Sequence, residues 1–291
     1  MKNIILFLAM LISFQLYAQV NSTVKGIIVD ENDISLKFVN IYSNLDNHGT
    51  YSDEDGKFEI NIKDNTAFIV FSYLGYQNDT TFITDTTFTK SIKVKLNSNP
   101  YALNELMVSS NIKFSEIGYS LKFGHIKKKE NNDLGLNKGN ILAYYFKNPQ
   151  QTIGKIKSIK FRFTKSKNKP RIRINVYSPT NKKGQIMPGE LVYQSNIITL
   201  KNKKSFKHQF PKSIFLSKKG LFVAIELVGG GDYVGKSSKF QLNYPRFMMT
   251  DDLKEHLTYK SFMGKKWNKL TIYSRNSSNP WNMKVELKVD Y

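Results

Sequence analysis

Short runs of β-branched and aromatic residues, separated by clusters of polar turn residues, alternate along most of this chain. The first hundred residues contain five such runs, at Val24–Asp30, Phe38–Tyr42, Thr50–Ile60, Ala67–Tyr76 and Ile92–Leu96. Clusters rich in Asn, Asp and Gly lie between them, and the runs show no hydrophobic period near 3.6 residues. Strands at this spacing favour an antiparallel β-sandwich.

The burial of individual strands can be predicted from their alternation. Phe58, Ile60 and Ile62 share one face of a strand, with polar residues between them on the other face. Residues 67–71 are apolar on both faces, which predicts a central strand.

Asp53 to Gly56 predict a tight turn, in which acidic side chains cap backbone N–H groups and Gly56 takes a positive φ. The same residues resemble the start of a calcium loop. However, the twelfth position counted from Asp53 is Asp64 and not Glu, and Lys57 stands where a ligand is expected. The turn is therefore the favoured interpretation.

The first 18 residues have the layout of a secretory signal peptide. Lys2 precedes an apolar run from Ile4 to Leu16, and the small residue Ala18 stands before Gln19. The run is too short to span a bilayer comfortably, so we expect cleavage and not an uncleaved anchor. No Cys is present for lipid attachment or disulfides, and no later apolar stretch approaches membrane-spanning length. We expect an exported protein in the periplasm, at the outer membrane or outside the cell.

The net charge of +21 is distributed very unevenly. Residues 19–110 carry 7 basic and 12 acidic residues, whereas residues 111–291 carry 36 and 11. Such asymmetry indicates a domain boundary, and a positive half can attract acidic glycans, lipopolysaccharide phosphates or nucleic acid. Only five of the 44 basic residues are Arg, and Lys lacks the bidentate fork for phosphate. A solvated surface without a ligand is therefore the alternative interpretation.

The second half is again rich in strand patterns. Ile156–Phe163 and Arg171–Tyr177 flank a polar turn and predict a hairpin. In its second strand the aliphatic residues point one way, and Arg171, Arg173 and Asn175 point the other way. Residues 181–184 and 187–190 predict turns, and Asp251–Leu257 is the one helical candidate.

Four segments follow from these patterns. They are a signal peptide at residues 1–18, a first β-sandwich at 22–97, a linker or edge segment at 98–139, and a basic β-sandwich at 140–291.

Four motifs in the first sandwich together resemble a known family. They are Val24–Asp30 (V-x-G-x-I-V-D), Phe38–Ile41, the turn motif Thr50–Phe58 and the strand end Phe71–Tyr76. This part resembles the carboxypeptidase-regulatory-like (transthyretin-like) domain that is common in exported proteins of Bacteroidota. The resemblance implies a transthyretin-like antiparallel β-sandwich with an accessory, non-catalytic role. The family's usual G-x-P-L stretch lacks its Pro here, where Asp33–Leu36 stands.

The order of strand and turn patterns in residues 140–291 is similar to that of exported jelly-roll sandwiches, which include glycan-binding modules. We therefore predict an all-β protein, with an N-terminal transthyretin-like sandwich and a C-terminal jelly-roll-like β-sandwich.

Motifs for catalysis, cofactors or metals are scarce in the sequence. There is no H-E-x-x-H zinc motif, no G-x-S-x-G elbow and no dinucleotide-binding glycine fingerprint. The glycine-rich stretch Gly229–Asp232 follows a strand pattern with no helix pattern after it, which favours a loop over a phosphate cradle. The four histidines are scattered, and the cluster Asp251–His256 is explained by acidic residues at a helix start. We expect no catalytic, cofactor-binding or metal-binding residues and no enzymatic activity.

Aromatic and Arg side chains of the second half are the candidate ligand-binding residues. Sugar sites commonly combine exposed rings with polar groups, and Trp267 and Trp281 are flanked by Lys and Asn residues. The set that we select is Trp267, Trp281, Tyr233, Arg171 and Arg173. The alternative is that these large rings only pack in or around the core.

Two classes of function remain. The first is an exported, non-enzymatic envelope protein for binding or assembly, whose partner is a glycan, a polyanionic surface or an envelope protein. The second is an accessory or catalytic component of extracellular polysaccharide or peptide degradation, although eleven acidic residues in residues 111–291 leave few carboxylate pairs. The export signal and the low Arg content disfavour nucleic acid as a partner.

Overall fold

The computed structural model describes residues 23–63, 65–84, 87, 91–99, 120–124, 132–164, 169–201, 204–229, 246–273 and 278–291. The expected signal peptide at 1–18 and the candidate Tyr233 lie outside these residues. Strands β1 to β21 form antiparallel sheets with one parallel pair, and the described residues contain no α-helix. The predicted all-β, β-sandwich fold class is confirmed. No helix in the described part of the chain is long and apolar enough to cross a membrane.

The part of the first domain that the structure describes has seven strands. They are β1 (Thr23–Val29), β2 (Asn40–Ser43), β3 (Gly49–Tyr51), β4 (Lys57–Asn61), β5 (Phe68–Ser72), β6 (Asp79–Phe82) and β7 (Ile92–Lys95). One sheet has the order β4-β1-β7 and the other β3-β2-β5-β6. The pairing of β1 with β7 is parallel and the remaining pairs are antiparallel. Their inner faces enclose one apolar cluster, to which all seven strands but β3 and β6 contribute.

The predicted alternation holds in β4, where Phe58 and Ile60 are buried and Glu59 and Asn61 are exposed. Strand β5 is an inner strand, as predicted, but only one of its faces is buried. Phe68 and Val70 lie half-buried on its outer face, where the ring of Phe68 meets that of Phe82 at 6.2 Å.

The acidic turn before β4 forms as predicted. The carboxylate of Asp53 accepts hydrogen bonds from the backbone N–H groups of Asp55 (2.9 Å) and Lys57 (2.8 Å). Gly56 has φ +78°, a value that a side chain disfavours. The carboxylate of Asp53 is therefore used to cap the turn.

Within the described residues, fourteen strands belong to the second domain. They are β8 (Ser120–Gly124), β9 (Asn132–Gly135), β10 (Asn140–Phe146), β11 (Gly154–Arg162), β12 (Arg171–Lys182), β13 (Gln185–Gln194), β14 (Ile198–Thr199), β15 (Ser205–Leu216), β16 (Leu221–Gly229), β17 (Arg246–Thr250), β18 (Thr258–Phe262), β19 (Asn268–Lys269), β20 (Asn282–Met283) and β21 (Val285–Asp290).

Two large sheets of this domain face each other. The first has the order β13-β12-β16-β10-β18-β19, with β14 beside β12, and the second has the order β15-β11-β21-β8. A small third sheet, β20-β17-β9, lies beside them. The chain passes repeatedly from one large sheet to the other, as in a jelly roll, and the main core lies between them. Strand β8, within the segment expected to be a linker or edge, forms the edge of the second sheet.

The larger sheet is covered on both faces. Strand β10 is buried throughout: Leu142, Tyr144 and Phe146 face the main core, and Ile141 and Ala143 belong to a cluster on the opposite, outer face. Two groups of residues cover that outer face. Part of it lies under the first domain, and part lies under β13 and the segment after β18.

Strands β12 and β13 form a long hairpin, here called the arm, which spans residues 171–194. Its tip is the predicted turn at Lys183 (φ +52°) and Gly184 (φ +77°). The arm bends because its pairing register shifts at Tyr177, next to the segment 187–190. That segment, which the sequence predicts to be a turn, is an irregular part of β13.

Two further local predictions for this domain are wrong. Strands β11 and β12 do not form a hairpin, because β11 pairs with β15 and β21 in the second sheet while β12 pairs in the first. Residues 251–257 do not form a helix. Instead Thr250 donates to the Asp252 carboxylate at 2.8 Å, and the Asn282 side chain accepts from the backbone of Leu257.

Candidate functional site

A groove of about 680 Å³ lies between the arm and the turn that joins β18 to β19. One wall is formed by Ser178–Thr180, Lys182 and residues 187–190 of the arm, and the other by Gly264–Trp267. Polar and apolar groups mix along it, as is common in sites that hold a ligand in one orientation.

Trp267 is half-buried at this groove, and its inner edge is fixed. Its ring meets the ring of Tyr177 at 5.1 Å in an edge-to-face arrangement, and it packs against the outer-face cluster of the large sheet. Tyr259 of that cluster donates its hydroxyl to the Ile186 carbonyl at 2.7 Å, which ties the arm to the sheet. The ring is therefore held in place, while part of it remains accessible to solvent.

The three lysines of the groove differ in what their ammonium groups contact. Lys182 and Lys266 are exposed at the two walls. The Nζ atom of Lys265 instead donates to the carbonyls of Ser43 (2.6 Å) and Leu45 (2.7 Å) in the first domain. Burial lowers the pKa of Lys265. Glu190 is the one carboxylate among the described lining residues.

Arg171 lies at a second, smaller cleft of about 360 Å³, where the two domains meet. Its guanidinium lies over the ring of Phe38 at 5.5 Å and 3.5 Å from the Glu54 carboxylate. Both partners belong to the first domain. Arg171 is therefore not among the lining residues of the Trp267 groove. Its side chain contacts the first domain instead.

Arg173 is not available to a ligand, since it is only 2% exposed. It donates to the Phe38 carbonyl (2.6 Å) and the Asn40 side chain (3.2 Å) of the first domain. Its guanidinium also lies 3.7 Å from the carboxylate of Glu226, which is fully buried. The prediction that Arg173 contacts a ligand is therefore corrected: the first domain covers its side chain.

The carboxylate of Glu226 collects further donors. The hydroxyl of Tyr51 donates to it at 2.7 Å across the domain boundary, and the Asn175 amide donates at 2.9 Å. Burial, and then the charge of Glu226, raise the pKa of Tyr51 well above its ordinary value. This buried network and the apolar contact of Phe38, Tyr51, Val228 and Met263 form the domain interface.

Trp281 does not join Trp267. It packs, half-buried, against the main core, and its backbone N–H donates to the Ile272 carbonyl at 2.8 Å. For this residue the packing interpretation fits better than a ligand contact. Tyr233 lies outside the described residues.

Two of the histidines in the described ranges, His48 and His208, make structural contacts. His48 lies between the Ser43 hydroxyl (2.6 Å) and the Asn61 carbonyl (2.7 Å), and burial lowers its pKa. His208 lies 3.1 Å from the Tyr193 hydroxyl, and burial lowers its pKa too. No group of three or more His, Cys, Asp or Glu side chains that could hold a metal ion occurs among the described residues.

The first domain has a hydrophobic core of its own, separate from the main core of the second domain. Residues 24–108 match the family model of the CarboxypepD_reg-like domain. The resemblance inferred from the motifs is thereby confirmed for this region. The match includes all seven strands of the CarboxypepD_reg-like region and covers less than a third of the chain, so it does not assign the second domain.

Two solved structures are distantly similar to this chain. The cysteine protease and lectin-like domains of a surface-layer-associated protein of Clostridium difficile match at 14% identity and a TM-score of 0.26, over 52% of this chain and 32% of that one. A streptococcal ancillary pilin matches at 12% identity and a TM-score of 0.22, over 81% and 60%. The chain spans less than two thirds of either structure, and these TM-scores are too low to establish a shared fold. No curated protein matches.

Two features of the site were missed by the sequence analysis. Glu226 is a single charge inside the apolar run Leu221–Val228, and such a residue needs a buried partner. Arg173 alternates with aliphatic residues in β12 and was the available partner. No such signal indicates the arm wall of the groove in the sequence. The arm is held over the sheet by contacts between residues far apart in the chain, such as that of Ile186 with Tyr259.

Proposed function

We propose that this is an exported, non-enzymatic cell-envelope protein whose second domain binds an acidic glycan in the groove beside Trp267. The observation that supports this most is that the half-buried Trp267 ring and the exposed Lys266 belong to one wall of the groove, while Lys182 belongs to the other. The net charge of residues 111–291, with 36 basic and 11 acidic residues, favours an anionic partner.

The chemistry of a sugar ring suits this groove. The C–H groups of one sugar face pack on an aromatic ring, while hydroxyl and carboxylate groups at its edge need polar partners. Tyr177 holds the Trp267 ring at its inner edge, so little side-chain entropy is lost on binding. The Lys ammonium groups supply charge-assisted hydrogen bonds to carboxylates.

The alternative, a degradative enzyme, receives less support from this groove. Glycosidases use two carboxyl groups across the scissile bond, and Glu190 is the one carboxylate among the described lining residues. Release of new reducing ends from the sugar would favour that alternative, so this assay accompanies the binding measurement.

Calorimetric titration of the mature chain with oligogalacturonate, whose sugars carry carboxylates, tests the proposal against a neutral malto-oligosaccharide of equal length. We expect Trp267→Ala to weaken binding by about 2 kcal/mol, roughly 30-fold, as for a central aromatic contact. The melting temperature should fall moderately, because the contacts of the ring with Tyr177 and the outer-face cluster are lost, so the titration is made at a temperature at which the variant is folded. Lys182→Met should weaken binding most at low salt, where the charge of the lysine is least screened.

The matched control is Trp281→Phe, which changes the other tryptophan and leaves the groove intact. Equal binding of acidic and neutral sugars would contradict the acidic ligand. A lower melting temperature of Trp267→Ala with unchanged binding would assign the ring to packing alone and reject the groove.

A further inference from the structure

We propose that the first domain sets the geometry of the Trp267 groove through Lys265, which acts as a positioning residue for the ligand. The ligand itself rests on the proposed function above. Lys265 lies in the segment that forms one wall of the groove, and its ammonium group donates hydrogen bonds to the first domain. A change in these hydrogen bonds can therefore move the groove wall.

The ammonium group of Lys265 contacts three groups of the first domain. Its ammonium donates to two backbone carbonyls of the first domain, at 2.6 and 2.7 Å, and lies 5.6 Å from the centre of the Tyr42 ring. Hydrogen bonds from a charged donor are among the stronger ones in proteins. The ring contact adds a cation–π attraction. Lys265 is therefore fixed by three groups of the other domain.

The turn that carries Lys265 is anchored a second time. Met263 packs in the apolar contact with Phe38, Tyr51 and Val228, and its N–H donates to the Gly139 carbonyl at 2.8 Å. The N–H of Lys265 closes the turn onto the Phe262 carbonyl at 3.1 Å. Both sides of this short turn are thus held against the first domain or the sheet.

Lys266 and Trp267 follow directly along the chain and form the groove wall. A residue two positions from a fixed anchor has little freedom to move, so the anchor limits where the Trp267 ring can lie. Releasing Lys265 would let the turn move away from the first domain and widen the groove. Ligand binding would then have to restore the geometry, which costs affinity.

The coupling works in both directions. If the first domain strengthens ligand binding by holding the turn, a bound ligand strengthens the contact between the domains by the same factor. A partner that competes for the Ser43–Leu45 segment would weaken ligand binding without touching the groove. The CarboxypepD_reg-like region would then regulate the site next to it.

The test uses Trp267 as a reporter, because the chain contains only two tryptophans. In the full mature chain with Trp281→Phe, the remaining tryptophan fluorescence reports the groove alone. We expect Lys265→Met, which keeps the stem and removes the charge, to raise the acrylamide quenching constant of Trp267. Affinity for oligogalacturonate should fall by roughly 5-fold or more, the lower end of usual coupling between sites.

Two controls separate the effect from loss of charge. Lys218→Met removes the same charge at an exposed turn between β15 and β16, and should change neither quenching nor affinity. Lys182→Met, on the opposite wall, should weaken binding of the acidic sugar and leave the quenching constant unchanged.

The outcomes distinguish this inference from the proposed function. If the unmodified protein binds no sugar but Lys265→Met still raises quenching, the anchor stands and the glycan proposal fails. If quenching is unchanged in Lys265→Met, the anchor is rejected whether or not sugar binds. If quenching rises while affinity stays the same, Lys265 has a structural role only, and its role as a positioning residue is rejected.

Discussion

Glu226 interrupts an otherwise apolar strand, and its carboxylate lies within reach of three polar side chains from two domains. Tyr51 and Asn175 donate to it, and the Arg173 guanidinium lies 3.7 Å away. Removing two charges from water costs free energy, so the pair adds little net stability. Its effect is to favour the one arrangement in which both charges are paired. Because Arg173 also donates to two groups of the first domain, the pair specifies how the two domains meet.

Glu226→Gln keeps the shape of the side chain but leaves Arg173 buried without a counter-charge. We expect the free energy of unfolding to fall by about 3–5 kcal/mol, measured by urea denaturation. Adding Arg173→Met to this variant should recover part of the loss.

The control for this prediction is Glu255→Gln, which removes the partner of the exposed ion pair with Lys147. That change should cost less than about 1 kcal/mol, because both side chains are more than half exposed. Equal losses in the two variants would mean that the buried pair adds no specific stability.

At the scale of elements, we expect the loss of stability from a glycine-to-alanine substitution to be larger where strands pack closely than where only a positive φ opposes it. Strand β1 pairs with β4 on one side and with β7 on the other, so Gly26 lies between two neighbours. A Cβ atom at Gly26 would lie 2.3 Å from the Ile92 carbonyl oxygen, which is backbone and cannot rotate away. This explains why a glycine stands in the middle of a strand.

Gly26→Ala is therefore expected to be costly, by about 3 kcal/mol, since β1 and β7 must separate. Gly184→Ala at the arm tip is the matched comparison. There the Cβ atom meets nothing within 4 Å, and only the positive φ of +77° opposes the change, at about 1 kcal/mol. Thermal denaturation of both variants checks the order, and a larger loss in Gly184→Ala would contradict the packing argument.

At the scale of the whole molecule, the two domains share polar and apolar contacts and carry opposite charge. Residues 19–110 have an excess of five acidic residues, and residues 111–291 have an excess of 25 basic residues. Long-range attraction between them supports the specific contacts of Arg171, Arg173 and Lys265. We expect the domains to unfold together in a single calorimetric transition.

Met263→Asp places an unpaired carboxylate in the apolar contact of Phe38, Tyr51 and Val228. At about 3 kcal/mol for an uncompensated buried charge, the melting temperature should fall on the order of 6–12 °C. We expect the single transition to separate into two, because the contact between the domains is weakened. Phe82→Asp is the control, since Phe82 is 69% exposed on the first domain. A single, unshifted transition in Met263→Asp would show that this contact does not couple the domains.

The sequence predicted those features that depend on near neighbours along the chain. The Asp53–Gly56 turn, the alternation of Phe58 and Ile60, and the turn at Lys183–Gly184 formed as expected. The helix at residues 251–257 did not form, because Thr250 and Asn282 offer the backbone other hydrogen-bond partners. The hairpin of β11 and β12 was wrong because adjacency in sequence does not determine which sheet a strand joins.

The sequence by itself determined the all-β class, the motifs of the CarboxypepD_reg-like region and the presence of Trp267 beside two lysines, because each is a local pattern. The tertiary structure decided which of these side chains face solvent. Arg173 is buried in the interface, Lys265 donates to the first domain, and Trp267 remains partly accessible at the groove. The physical reason is that the deciding partners, such as Tyr51 and Glu226, are 175 residues apart and meet only when both sandwiches have formed.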